Sequence, residues 1–363
     1  MTAAVDPAPG ARPVARTSIR AGVVGVALLA ALFVGGLLWA KWLPYAGKTR
    51  GLSQTHTWPG TAIFASAGAD SSPSLSGAWH FTTAYFQSVW QAATVALLVA
   101  AAVDALVPRA WLLSVLNRRT ALGQSLAGGT AALPSLMCTC CTAPVAVGLR
   151  KRGATVAASL AYWVGNPVLN PAVLVFLFLV APWQFGAVRI VVGAVLVFGA
   201  TAFAARFAKG PADTAVTPAA DPGQDPLRVR DLPLRYLRSL ARFAAVLVPE
   251  YFVAVMVIGG LSGPLSDFAG VEARLGVLAV AVCAVIGTML VIPTGGEIPV
   301  VLALTAAGAS VGTAGALLIT LPALSIPSML MVGRQLSWRA TAAMAAAVVV
   351  AGLVGGALLW ALW

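Results

Sequence analysis

Run after run of this chain stays apolar for about 20 residues, the length that crosses a bilayer's hydrocarbon core. The first is GVVGVALLAALFVGGLLWAKWL, Gly22 to Leu43. Backbone groups in lipid must find partners within the chain, which leaves helices or closed barrels. A barrel would alternate with period two over short strands, and these runs do not. Only 9% of the 363 residues are charged, against about 25% in soluble domains. The chain is read as an all-α polytopic membrane protein whose first partner is the lipid bilayer, in the cell membrane.

The net charge of +12 is no nucleic-acid footprint. Basic residues lie in short segments between apolar runs, where they set orientation. The first run is long for a cleaved signal and lacks a small-residue cleavage site, so it reads as a retained span. The expected organisation is a disordered cytoplasmic tail (1–20), an N-terminal transmembrane helix (21–43), an extracytoplasmic loop (44–80), a first transmembrane repeat (81–207), a cytoplasmic linker (208–239) and a second repeat (240–363).

The repeats show in the spacing. Apolar segments fall at about 83–107, 121–149, 154–181 and 186–207, then at about 241–262, 273–307, 309–333 and 340–362. A shift of 155 residues superposes landmarks without a gap: Pro144 on Pro299, Leu149 on Leu304, Gly153 on Gly308, Pro167 on Pro322. Such duplication is a hallmark of secondary transporters. Arg118 and Arg119 precede the segment 121–149, and Arg150, Lys151 and Arg152 follow it. A simple crossing would leave one cluster outside, against the positive-inside tendency. A re-entrant hairpin turning near Pro134 and the cysteines removes the conflict and leaves the second repeat inverted. The 29 residues as one straight helix would run about 43 Å, beyond the core thickness. The competing topology has nine spans and parallel repeats.

Four interruptions break the apolar segments: Pro134–Pro144, Asn166–Pro171, Pro293–Pro299 and Pro322–Pro327. Proline cannot continue the helical ladder and glycine lets it bend, so freed backbone groups need protein, water or substrate. Substrate binding is expected where they meet, at Cys138, Cys140, Cys141, Thr142, Asn166, Asn170, Thr294, Gly295, Gly296, Glu297 and Ser325. Pro144, Gly153, Pro167, Pro299, Gly308 and Pro322 are expected to shape the scaffold. Alternatively, the prolines only kink helices for packing.

Cys138-x-Cys140-Cys141 lacks the second ligand pair of a structural zinc site, so neither metal nor cofactor is expected. Close thiols can hold soft species such as Cu(I) or trivalent arsenic, or simply pack as small buried hydrophobes. Intramembrane acids are costly and functional by default, which makes Glu297 and Glu250 candidates for proton coupling. Asp104 and Arg189 lie near span ends, where snorkelling explains them. No HExxH, P-loop or GxSxG motif occurs, so no enzyme is expected.

CTCCTAPVAVGLRKRGA followed by AYWVGNPVLNP resembles the signature of the ArsP/YraQ-type permeases. The matching residues are Cys138, Cys140, Pro144, Leu149, Gly153, Pro167 and Asn170, and PTGGEIPVVLALTAAG resembles that family's later block. The resemblance covers about residues 83–360 and leaves out the N-terminal span. It implies a permease, and the family's characterised members export trivalent organoarsenicals. Cys141 adds a third thiol to the family's pair. The expectation is a permease exporting a small, thiophilic substrate by alternating access, with protons as a candidate driver and a homo-oligomer open to it. The alternative is a channel or a scaffold component of a larger complex.

Overall fold

The computed structural model describes residues 11–59, 74–107, 109–208, 229–261 and 268–363. Regular structure among them is helical throughout. Among the described residues six helices are long and apolar enough to cross a membrane, or seven if one bent pair counts as a single span.

The first half holds a long helix, Leu75–Leu106, then a short pair, Ala121–Ala132 and Thr139–Lys151. A broken helix follows, Val156–Val168 and Pro171–Val180, and then a span over Trp183–Phe207. The second half repeats the order: Leu232–Gly260, a short pair Ala279–Met289 and Glu297–Ala306, a broken helix Val311–Ala323 and Ile326–Gln335, and the span Trp338–Leu362. A shift of 155 carries Val156–Val168 onto Val311–Ala323, Pro171–Val180 onto Ile326–Gln335 and Trp183–Phe207 onto Trp338–Leu362, residue for residue. Gly153 and Gly308 both sit at positive φ, 95° and 83°, the conformation that ends a helix where a side chain would be strained. Each is followed by a side-chain cap: Thr155 accepts from the Ala158 amide and Ser310 from the Thr313 amide.

Neither member of a short pair is long enough to cross. Ala121–Ala132 has 12 residues, about 18 Å of helix against a core of about 30 Å. The ends of each pair are tied together. The Asn117 side chain accepts from the Thr155 amide at 3.0 Å and donates to the Gly153 carbonyl at 3.0 Å. In the second half Glu272, which the shift places on Asn117, accepts from the Ser310 amide at 2.6 Å. Glycines let the pairs dock closely on the broken helices. A Cβ on Gly128 would collide with the Ala158 carbonyl, and one on Gly287 with the Thr320 hydroxyl. Small residues serve membrane helix contacts in this way, because close approach is what stabilises packing in lipid.

The N-terminal helix departs from expectation. It already runs from Ala11, inside the predicted tail, and continues past residue 43 to Thr55 through a π-helical turn, Leu38–Trp42. Residues 1–10 lie outside the described residues. Loss of hydropathy does not end a helix; a cap does. Pro44 falls in the first turn after the π turn, where its missing N–H costs nothing. The stop comes at His56, which is left-handed at φ 51°. The predicted loop 44–80 is therefore helical at both ends, since the next helix starts at Leu75. The linker 208–239 is helical from residue 229, as a 3-10 turn and then from 232 as α-helix, and its residues 209–228 lie outside the described residues.

Candidate functional site

The four interruptions meet in the interior. In the first, Leu136 takes a left-handed backbone at φ 51°, costly for a branched residue, and turns the chain into Thr139–Lys151. Cys138 stands at the N-cap of that helix. Its sulfur lies 3.2 Å from that of Cys141, one turn on. The Cys140 sulfur lies 3.2 Å from the Ser325 hydroxyl of the fourth interruption. The Thr139 hydroxyl is 3.4 Å from the same oxygen. All three thiols are buried. Thr142 is turned inward onto backbone, its one hydroxyl proton shared among the carbonyls of Cys138, Thr139 and Trp163, all within 3.2 Å.

The second interruption braces the first. Asn166 accepts from the Met137 amide at 3.2 Å and donates to the Tyr162 carbonyl. Asn170 caps the outer part of the broken helix, accepting from the amides of Ala172 and Val173. Its buried side-chain nitrogen has no hydrogen-bond partner among the described residues. Pro171 has no N–H to give the Pro167 carbonyl four residues back, and the Ala172 amide is taken by Asn170, so Arg189 takes both carbonyls: Nη2 donates to that of Pro167 at 2.8 Å and Nε to that of Val168 at 3.1 Å.

The same arginine reaches the third interruption. Arg189 Nη1 lies 2.6 Å from Glu297 Oε1, and both side chains are at most 1% exposed. Glu297 opens its helix directly after Gly295, at φ 80°, and Gly296, whose amide donates to the Pro293 carbonyl. The other carboxylate oxygen, Oε2, is buried without a hydrogen-bond partner among the described residues. Snorkelling, the reason expected for an arginine near this span end, is thus overturned. Its helix begins against the broken helix Pro171–Val180 and the C-terminal span, so the residue faces protein rather than the lipid boundary. A buried ion pair of this kind specifies an arrangement more than it stabilises one.

Glu250 stands apart, paired with Arg334 at 3.4 Å, where the arginine is largely exposed. Asp104 accepts from Ser239 at 2.7 Å, tying the long first helices of the two halves together. Those helices also share a Tyr251–Tyr85 hydroxyl bond of 2.8 Å. Among the described residues no group of three or more His, Cys, Asp or Glu side chains is placed to hold a metal ion.

Sequence reasoning missed one site residue entirely. Lys41, in the π turn of the N-terminal helix, is 6% exposed and donates to the Thr294 hydroxyl at 3.2 Å and to Tyr45 at 3.0 Å. Next to it the Trp42 indole donates to the Pro134 carbonyl at 2.8 Å. A lysine between two tryptophans, WAKW, was the available signal; it reads as an interface anchor while the helix is assumed to end at residue 43.

Broken helices, paired short helices and an interior ion pair joining two similar halves define a multispanning membrane permease. Comparison with known proteins narrows the class. A family model described as "Predicted permease" (ArsP_1) matches residues 74–360, and the chain belongs to that ArsP/YraQ-type family. The "UPF0718 protein YraQ" of Escherichia coli (strain K12) is 35% identical over 339 residues, 92% of this chain and 94% of that protein. No solved structure matches. The chain is a multi-pass cell-membrane protein of a transport family, not of an enzyme family.

Proposed function

We propose that this chain is a secondary permease that exports a small, thiophilic substrate by alternating access, binding it where the four interruptions meet. One observation carries the reading. Each interruption of one half contacts an interruption of the other: Cys140 meets Ser325, and Glu297 meets the Pro167 turn through Arg189. Relative rocking of the halves would remake these contacts, which is what alternating access about a central site requires.

The tied ends of both short pairs support a re-entrant, inverted arrangement. Arg118 and Lys151 then flank one mouth, on the cytoplasmic face, and Glu272 and Ser310 flank the other. Cysteines introduced at positions 118 and 151 will react with an impermeant thiol reagent from one and the same side; labelling from opposite sides restores the nine-span topology. Glu297 is the proposed coupling group, since releasing Arg189 during the cycle would free a carboxylate at the site. Glu250, already engaged near the surface with Arg334, is the weaker candidate.

The test is uptake into everted membrane vesicles of arsenite, phenylarsonous acid, antimonite and Cu(I). Saturable, protein-dependent accumulation of at least one is expected. It should be lost when Cys138, Cys140 and Cys141 are replaced by serine, and its pH dependence lost in Glu297→Gln. No accumulation of any of the four would leave the chain as a channel or scaffold component.

A further inference from the structure

The interior site carries more positive charge than its own acid balances. Among the described residues three cations, Lys41, Lys48 and Arg189, stand around one carboxylate, Glu297. Arg189 neutralises Glu297 directly. Lys48 lies over the Trp58 ring at 3.5 Å, half-buried on the approach to Gly295, against which the same Trp58 packs. Lys41 is the odd charge. It is 6% exposed, and among the described residues no carboxylate lies within ion-pair distance of it. Two of its three N–H donors are placed on hydroxyls, those of Thr294 and Tyr45, and an ammonium has three to give. It also interacts electrostatically with Cys138 and Cys141. An uncompensated buried charge is expensive, and one held inside a transport path marks that path.

We infer that Lys41 and Thr294 form an anion subsite beside the Cys138–Cys141 pair, so that the permease takes small thiol-reactive species carrying a negative charge. The inference rests on the binding site proposed above and names the class of substrate that site accepts. The π turn supplies the geometry. The extra residue in the turn Leu38–Trp42 rotates the helix locally, as π turns at functional sites do, and sets Lys41 against the Thr294–Glu297 turn while Trp42 holds Pro134. Lys48 then extends the cationic surface outward along the same helix. Glu297 does not oppose an anion here, because Arg189 already balances it.

The cysteines can report the subsite through methanethiosulfonates of three charges: 2-sulfonatoethyl (negative), methyl (neutral) and 2-trimethylammonioethyl (positive). In each reaction a cysteine thiolate attacks the sulfenyl sulfur, a mixed disulfide forms and methanesulfinate leaves. Rates are followed by mass spectrometry on the full chain in detergent, with Cys283→Ser as background. The wild-type site should react with the anionic reagent at least about tenfold faster than with the cationic one, the scale at which a focused positive potential acts. Lys41→Gln should bring that ratio close to one, Lys41→Arg should keep it, and Thr294→Val should reduce it by less. A role of Lys41 in thiol ionisation alone would change all three rates in parallel, and that result overturns the proposal. So does a wild-type ratio near one, a ratio that survives Lys41→Gln, or a site that none of the reagents reaches. Because no transport is measured, failure of the permease reading and failure of the anion subsite give separate results.

Discussion

The two halves of the molecule share a backbone and divide the chemistry. At the N-cap of the outer part of each broken helix the first half has Asn170 and the second Ser325, 155 residues apart. Asn170 spends its side-chain oxygen on its own helix, holding the amides of Ala172 and Val173, and the helix stays in line as one 25-residue span. Ser325 makes no such cap. Its hydroxyl turns to Ser328, Cys140 and Thr139, and the second broken helix bends by 46°. The same division recurs at the first turn of the short pairs' second helices, where Thr142 bonds only to backbone while its counterpart Glu297 crosses to the other half. The repeated helix order supplies the frame, and differences at matched positions decide which half braces the frame and which serves the interior.

The largest expected effect falls on position 297 against position 142. Replacing Arg189 or Glu297 with alanine leaves a buried charge alone and should cost about 3–5 kcal/mol. Thr142→Ala should cost about 1 kcal/mol. Denaturation in mixed micelles reads both. The double change Arg189→Met with Glu297→Met should recover most of the stability and none of the transport. Equal costs at 142 and 297 would remove the asymmetry.

Where the halves are alike, substitutions should act alike. Gly153→Ala and Gly308→Ala each force a side chain into a positive-φ position and should each destabilise by about 1–2 kcal/mol. A difference above about 1 kcal/mol between them would show that the two turns carry unequal loads. The smallest contrast is at the caps. Asn170→Ala should cost about 1 kcal/mol, as lost caps do, without changing the alkylation rate of Cys140. Ser325→Ala should also cost about 1 kcal/mol, as a lost buried hydrogen bond does, yet alter that rate, since its hydroxyl touches the sulfur. Mass-spectrometric alkylation kinetics separate the two.

Much of this was written along the chain. Hydropathy determines that the protein lives in a bilayer, because an apolar run of that length has no other stable place. The repeat is visible because proline and glycine impose backbone geometry by themselves: Gly153 and Gly308 end helices wherever the fold puts them. The four interruptions were legible for the same reason. Partnership was not. Arg189 looked like a span-end residue and Lys41 drew no reading at all, since a sequence shows only distance from the end of an apolar run. Packing put both inside, Arg189 because its helix starts against protein and Lys41 because its helix continues to Thr55. Which charge meets which carboxylate, and which serine reaches a thiol, depends on contacts between residues more than 100 positions apart. No local preference encodes these contacts, so the tertiary structure alone decided them.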